Sequence, residues 1–556
     1  MRKNSFEEGA FIATIAIVLV KILGMLYVIP FYAIVGSDGG ALYSYAYNIY
    51  LLFLGISSAG LPNAISKIIS EYNTLGYTDA KNRAYSIAKK IIGFISVVAF
   101  VILFVFADDI GRFIIGNLQG GNTYEDVAFV IRCVAPSILV VPYLSITKGF
   151  LQGHKIIGPS SNSQLLEQIV RIFIILCGSF LCLKVYNGTL KLGIGIAVSG
   201  ALFGGIAAYL YLLGNVRKLK KEIALEEKDK KDEVEISNKT IVRKIIRYAT
   251  PFIIISIVTN LYNFTDQILV LRTLERLNLP GSDVEFVASA ISTWSPKICM
   301  ILNAMAMGMT MSLIPTIVSA FAKKDNIELK NKVNQAVSMI TFISYPLMVG
   351  IIIIAKPLWT VFFNTNPAGP KILQLAVISA YFANVYMITS TICQSMNKYK
   401  TVYFMSIFGF ILNALLDVPM MLLCNHIGIA PYLGSIMASI IGFSSSCFIG
   451  LRSLHKYENI TYETTKKNAT LALIPGTAMF LVLLLIDRYL PFDTLDRLGA
   501  IVTIIINGGI GALIYIGISI KLGLVRSIIG DELANKLLRK VTFGKLGKEK
   551  KWFICV

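Results

Sequence analysis

Seven polar side chains stand inside long apolar runs, where each must have a partner or a task. Lys21 sits in AIVLVKILGMLYVIP (16–30), and Glu167 and Arg171 sit in SQLLEQIVRIF (163–173). Asp266 lies in TNLYNFTDQILV (259–270), Lys297 in SPKICMIL (295–302), and Asn413 and Asp417 in ILNALLDVPM (411–420). A charge at the centre of a bilayer costs roughly 3 kcal/mol on insertion scales, so such residues face a bundle interior, a watery cavity or each other. Two chemistries follow. Lys21 and Lys297 are cations suited to an anionic, phosphate-bearing ligand, which a lysine meets as a point charge. Asp266, Asn413 and Asp417 are hard oxygen ligands suited to a sodium ion or a proton.

Each has a plainer reading. Lys21 shares a helix face with Thr14 and Glu7 at steps of seven. It can snorkel only by spanning about 16 Å, since it lies some 11 residues into its run at 1.5 Å per residue. Glu167 and Arg171, one turn apart, can neutralise each other or line a cavity. Asn413 and Asp417, at i and i+4, can serve interhelical hydrogen bonds, as can Asp266 with Asn263 and Thr259 on its face. Pro296 lacks an N–H and frees backbone carbonyls just before Lys297.

These residues need long helices to hold them. The chain has 556 residues, 55% apolar and only 15% charged, against about 25% charged in soluble domains. Fourteen apolar stretches are long enough to cross a bilayer as helices: near 10–34, 41–66, 86–107, 126–147, 164–184, 192–214, 248–271, 285–318, 335–355, 371–395, 402–424, 429–451, 469–488 and 499–521. Unbroken apolar runs exclude a spanning barrel, whose strands alternate. Of the 52 Lys and Arg, 39 fall in one alternating set of loops, 10 in the other, and Lys21, Arg171 and Lys297 in neither. That asymmetry places both termini on the cytoplasmic side of the membrane. It also accounts for the net charge of +20 without nucleic acid. The basic stretches are cytoplasmic face beside anionic membrane lipid.

Other chemistries lack their residues. The eight cysteines lie mostly in apolar runs and form no CxxC pair, and the three histidines are scattered. Zinc sites and catalytic triads have no basis, and no GxxxxGK[ST] loop is present. No cofactor is expected; a coupling ion, Na⁺ or H⁺, is.

The halves resemble each other. LPNAIS (61–66) returns as IPTIVS (314–319), Lys81-Asn82-Arg83 as Lys330-Asn331-Lys332, and ITKGFLQ (146–152) as ITSTICQ (388–394), in the same order. The expected fold is an all-α integral membrane protein of fourteen transmembrane helices. Two six-helix lobes are related by a pseudo-twofold axis along the membrane normal, with a C-terminal helix pair outside the repeat. The expected divisions are an N-lobe over 1–216, a cytoplasmic linker over 217–247, a C-lobe over 248–454, and the last pair with a basic tail over 455–556.

With LPNAIS, SQLLEQIVRI, LVKILG, SPK and NALLD, the whole chain resembles the polysaccharide-transport group of the MOP exporter superfamily, of MurJ/SpoVB type. The resemblance implies a monomeric, non-enzymatic flippase that carries a lipid-linked glycan precursor, above all lipid II, to the outer leaflet. It implies a bacterial plasma membrane and makes Lys21 and Lys297 the cavity cations; Arg171 and Glu167 join them as substrate-binding residues on the cavity-lining reading of their own pair. Asp266, Asn413 and Asp417 become a sodium site. The sequence departs from the pattern at Tyr27, where a second basic residue often stands, and in YSYAYNIYLLFLGISSAG (43–60), which carries no cation. A MATE-like cation-coupled multidrug exporter, or a flippase for another lipid-linked polysaccharide, is the competing expectation.

Overall fold

The computed structural model describes the chain outside residues 1–5, 59, 120, 227–235, 364, 490–493 and 530–556, and the side chains outside 6–14, 220, 223–226, 305–315 and 529 as well. The side chains of Glu7 and Thr14, part of the linker and the basic tail from 530 lie outside the described residues. Every described element is helical. Eleven helices among the described residues are long and apolar enough to cross a membrane, and the chain is an all-α multi-pass membrane protein.

By internal contacts the chain forms two units. The first holds Met1–Met300 with Phe410–Ala438, and the second holds Ile301–Gly409 with Ser439–Val556. All seven residues singled out by the sequence lie in the first. This grouping follows internal contacts, a different basis from the lobes expected from the repeat.

In the first unit the helices are α1 (Phe6–Leu26), α2 (Val28–Ser58), α3 (Leu61–Leu75), α4 (Thr78–Val105), α5 (Ala107–Ile115), α6 (Tyr124–Val134), α7 (Ser137–Gly153), α8 (Gly158–Phe173), α9 (Leu190–Glu226), α10 (Asn238–Arg276), α11 (Gly281–Ser289) and the start of α12 (Ser295–Ala322). Helix α2 is two helices joined at a kink, where Gly36 has φ 70° and ψ −168°. Glycine adopts that backbone without steric penalty. Gly60, at φ 73°, ends the second span, and a Cβ there would lie 2.2 Å from the Phe252 Cβ. The LPNAIS segment therefore opens its own helix, α3, rather than closing the preceding span.

Small residues set the depth of packing around α8. A Cβ on Gly204 of α9 would lie 2.6 Å from the Glu167 carbonyl oxygen, and one on Gly200 would lie 2.9 Å from that of Arg171. Close backbone approach through glycine is how helices associate where lipid supplies no hydrophobic drive. Gly204→Leu should therefore cost about 1–3 kcal/mol of packing strain and lower the melting temperature of the purified protein. Gly214→Leu, on the same helix with nothing within 4 Å of its Cβ position, should leave the melting temperature unchanged.

The second unit contains the rest of α12, α13 (Asn326–Ile353), α14 (Ala355–Phe363), α15 (Ala368–Ser395), the first part of α16 (Tyr399–His426), most of α17 (Tyr432–Glu458), α18 (Glu463–Tyr489), α19 (Arg497–Lys521) and α20 (Leu524–Ile529), while the larger part of α16 and the start of α17 belong to the first. Helix α13 packs on α15 and α18, and α19 on α18 and α14. Val349, Met479, Leu483 and Tyr515 form a buried cluster there, and Thr465 of α18 donates to Asn334 Oδ1 of α13 at 2.6 Å.

Candidate functional site

Helices α1, α2, α7, α8 and α12 bring a group of charges together. Gly24, one turn beyond Lys21, lets α1 approach its neighbours. A Cβ on it would lie 3.4 Å from both Gln168 Nε2 of α8 and Met300 Cε of α12. Lys21, Lys297 and Tyr47 lie within electrostatic reach of one another. The Lys297 ammonium donates to the Tyr27 hydroxyl at 3.4 Å and stands 5.4 and 5.2 Å from the ring centroids of Tyr27 and Tyr47. These are cation–π contacts that steady a cation without neutralising it. Tyr47 stacks on Tyr43 at 5.3 Å, and Tyr43 on Trp294 at 6.0 Å.

The direction of Lys297 is set just before it. Residues Ala290–Trp294 form a π-helical turn in which the Ser295 N–H reaches back five residues to the Ala290 carbonyl. Pro296 has no N–H to continue an α-helical ladder, and a wide turn absorbs the mismatch.

Arg171 and Glu167 pair as their spacing predicts, Nη2 to Oε1 at 2.8 Å. The structure adds a third member. Lys148 Nζ lies 3.0 Å from the other oxygen, Oε2. Lys148 reads in the sequence as a cytoplasmic loop residue, yet it belongs to α7 and its side chain is only 13% exposed. Tyr47 and Tyr50 lie within the electrostatic reach of Arg171 and Glu167, so the two groups of charges form one site. Four cations and one carboxylate leave a net charge of +3. Among the described residues no carboxylate pairs with Lys21 or Lys297.

The acidic site forms separately, between α10 and the 410–438 segment of the same unit. Asn413 Nδ2 donates to Asp266 Oδ1 at 2.8 Å across 147 residues of sequence. Asp417 is fully buried, and neither of its carboxylate oxygens has a hydrogen-bond partner. Asp266 and Ser435 are its polar neighbours. Thr259 is exposed and bonds its own helix at Ile255, so it is not part of this group. Buried carboxylate oxygens without donors fit a hard cation or a proton. Among the described residues no three of His, Cys, Asp and Glu gather as a metal cage.

A buried polar network begins at the next residue of α10, Gln267. Gln267 donates to Ser44 at 2.8 Å and accepts from Asn48 at 3.1 Å. Ser44 and Asn48 meet the Thr293 hydroxyl at 2.7 and 3.1 Å. Further along, the buried Glu285 accepts from the Asn122 backbone and side chain at 3.1 and 3.0 Å and from the Tyr45 hydroxyl at 3.2 Å.

The family described as Polysaccharide biosynthesis protein matches residues 6–321. The chain belongs to this family. A second family, MatE, matches residues 251–418. The lipid II flippase MurJ of Bacillus subtilis (strain 168) is 28% identical over 535 residues, covering 95% of this chain and 97% of that protein. Stage V sporulation protein B of the same organism is 26% identical over 216 residues, 38% of this chain and 39% of that one. Among solved structures, an inward closed lipid II flippase MurJ superposes with a TM-score of 0.65 at 17% identity, covering 93% of this chain and 100% of that one. An inward-facing MATE transporter of the MOP superfamily gives 0.61 at 14%, covering 82% and 99%. At such identity these two show a shared fold.

Proposed function

We propose that this family member is a secondary-active flippase, not an enzyme, that moves a prenyl-diphosphate-linked glycan from the inner to the outer leaflet for cell-wall synthesis, with lipid II the substrate of first choice. One observation carries the reading: a net charge of +3 held by Lys21, Lys148, Arg171 and Lys297 around Glu167 in the apolar interior of the protein. An anionic headgroup satisfies that charge. The prenyl tail stays in lipid, and the glycan occupies the space between two six-helix lobes of a fourteen-span, monomeric protein with both termini in the cytoplasm. Access alternates between leaflets by movement of the lobes. Sodium or a proton at Asp266, Asn413 and Asp417 biases the return, because a ligand shifts a two-state equilibrium only through different affinities for its states. No cofactor takes part.

A MATE-like multidrug exporter draws support from the acidic site and the MatE match. The cationic site opposes it, since cationic cargo is repelled there. Proteoliposomes decide between them. With the purified chain, a fluorescent lipid II should reach the opposite leaflet many times faster than in empty vesicles, and an organic dye cation should not be transported. Dye transport without lipid movement would reject the flippase.

A further inference from the structure

A site that holds a diphosphate needs cations, yet Glu167 is an anion in its midst. It uses both oxygens, one for Lys148 at 3.0 Å and one for Arg171 at 2.8 Å. That is the manner in which one phosphate would bridge the same two cations. Glu167 cannot be carried away from Arg171, since both sit one turn apart on α8 against the Gly200 and Gly204 backbone of α9. Arg171 Nε is buried with no partner, and no carboxylate among the described residues meets Lys21 or Lys297.

We propose that Glu167 is an internal competitor for the substrate's phosphates, taking Lys148 and Arg171 when the site is empty and giving them up only to an anion of higher charge. The proposal rests on the flippase reading. A tethered competitor acts at high effective concentration. A monoanionic phospholipid headgroup carries no more charge than the carboxylate and cannot displace it. A diphosphate can, because one phosphate engages Lys21 and Lys297 while the other replaces Glu167. Glu167 then takes back Lys148 and Arg171 as the substrate leaves, so the cations do not trap it. Glu167 is thus a specificity-determining residue that also speeds release.

The test uses the full chain in nanodiscs of neutral lipid. The probes are inorganic phosphate, inorganic pyrophosphate and a short-chain prenyl pyrophosphate, in mildly acidic buffer where phosphate is mainly a monoanion and a diphosphate still carries at least two charges. The parent should prefer both diphosphates to phosphate, and tighter binding of the prenyl form would identify a lipid diphosphate rather than free pyrophosphate as the ligand. Glu167→Gln should bind phosphate roughly tenfold more tightly, the size of one charge-assisted contact, and lose much of its preference for diphosphate. Its lipid transport should slow. Glu167→Asp should keep the preference. A purely structural Glu167 predicts the opposite sign, with weaker binding of every anion in Glu167→Gln. That result, or an unchanged preference, overturns the proposal while leaving the flippase reading intact. Where Glu167→Gln folds poorly, Lys148→Met/Glu167→Gln removes the stranded cation, and this pair must still bind phosphate more tightly than Lys148→Met alone. A parent chain that binds no diphosphate at all rejects the flippase reading with it.

Discussion

Lys297→Glu abolishes exposure of the lipid-linked precursor on the outer leaflet of cells depleted of other flippases, whereas Lys297→Arg retains most of it. The charge reversal acts twice. It removes a cation whose charge-assisted contact with phosphate contributes about 1.5–3 kcal/mol, or roughly tenfold to a hundredfold in affinity. It also places a carboxylate in the electrostatic environment of Lys21, where the two would pair. The site falls from four cations and one anion to three and two, from +3 to +1. Arginine preserves the charge and still reaches the rings of Tyr27 and Tyr47, which now hold the lysine ammonium at 5.4 and 5.2 Å. Lys21→Glu should act in the same way. Precursor exposure is read with a lipid II-specific probe at matched protein levels. Normal exposure in both reversals would sink the cationic mechanism.

The second large effect concerns the acidic site. Sodium raises the melting temperature of the purified parent protein by a few degrees over choline, and Asp417→Asn removes the response. An ion at a hundred times its dissociation constant adds about 2.7 kcal/mol to the native state. The sign in the absence of sodium is also fixed. Asp417 is fully buried and neither oxygen accepts a hydrogen bond, so a neutral amide there relieves an uncompensated group. Asp417→Asn should therefore melt at or above the ion-free parent. A parent that ignores sodium but gains stability as pH falls would assign the site to a proton. One that ignores both would remove ion coupling from this group.

The fold class was legible because a helix must span a fixed thickness, so apolar run length alone counts. The candidate site was legible where a charge interrupted such a run. Lys21 and Lys297 stand out for that reason, and the spacing of Glu167 and Arg171 determines their pairing. Lys148 was hidden because ITKGFLQGHK (146–155) reads as the end of a span. Its cation looks like one more basic loop residue until α7 is seen to continue to Gly153. Tyr43 and Tyr47 were hidden for another reason. Aromatic residues are ordinary helix packing, and only the fold reveals which of them stand beside a lysine. The contact between Asp266 and Asn413 spans 147 residues, a distance at which helical periodicity carries no information. The broken helices at Gly36 and Gly60 have a signal in the glycines, but only the backbone shows which glycines bend and which let helices approach.

The π-helical turn at Ala290–Trp294 lies between two tethered points: Glu285, held by Asn122 and Tyr45, and Lys297, held by Tyr27 and Tyr47. Such a turn is an α-helix with one residue too many. Chain length, as well as chemistry, therefore determines where the lysine points. A single-residue deletion that restored the α-helix would rotate everything after it by about 100°, swinging the ammonium off Tyr47 while leaving Glu285 in place. Substitution can change which cation stands at this position, but only an insertion or deletion can change where it stands.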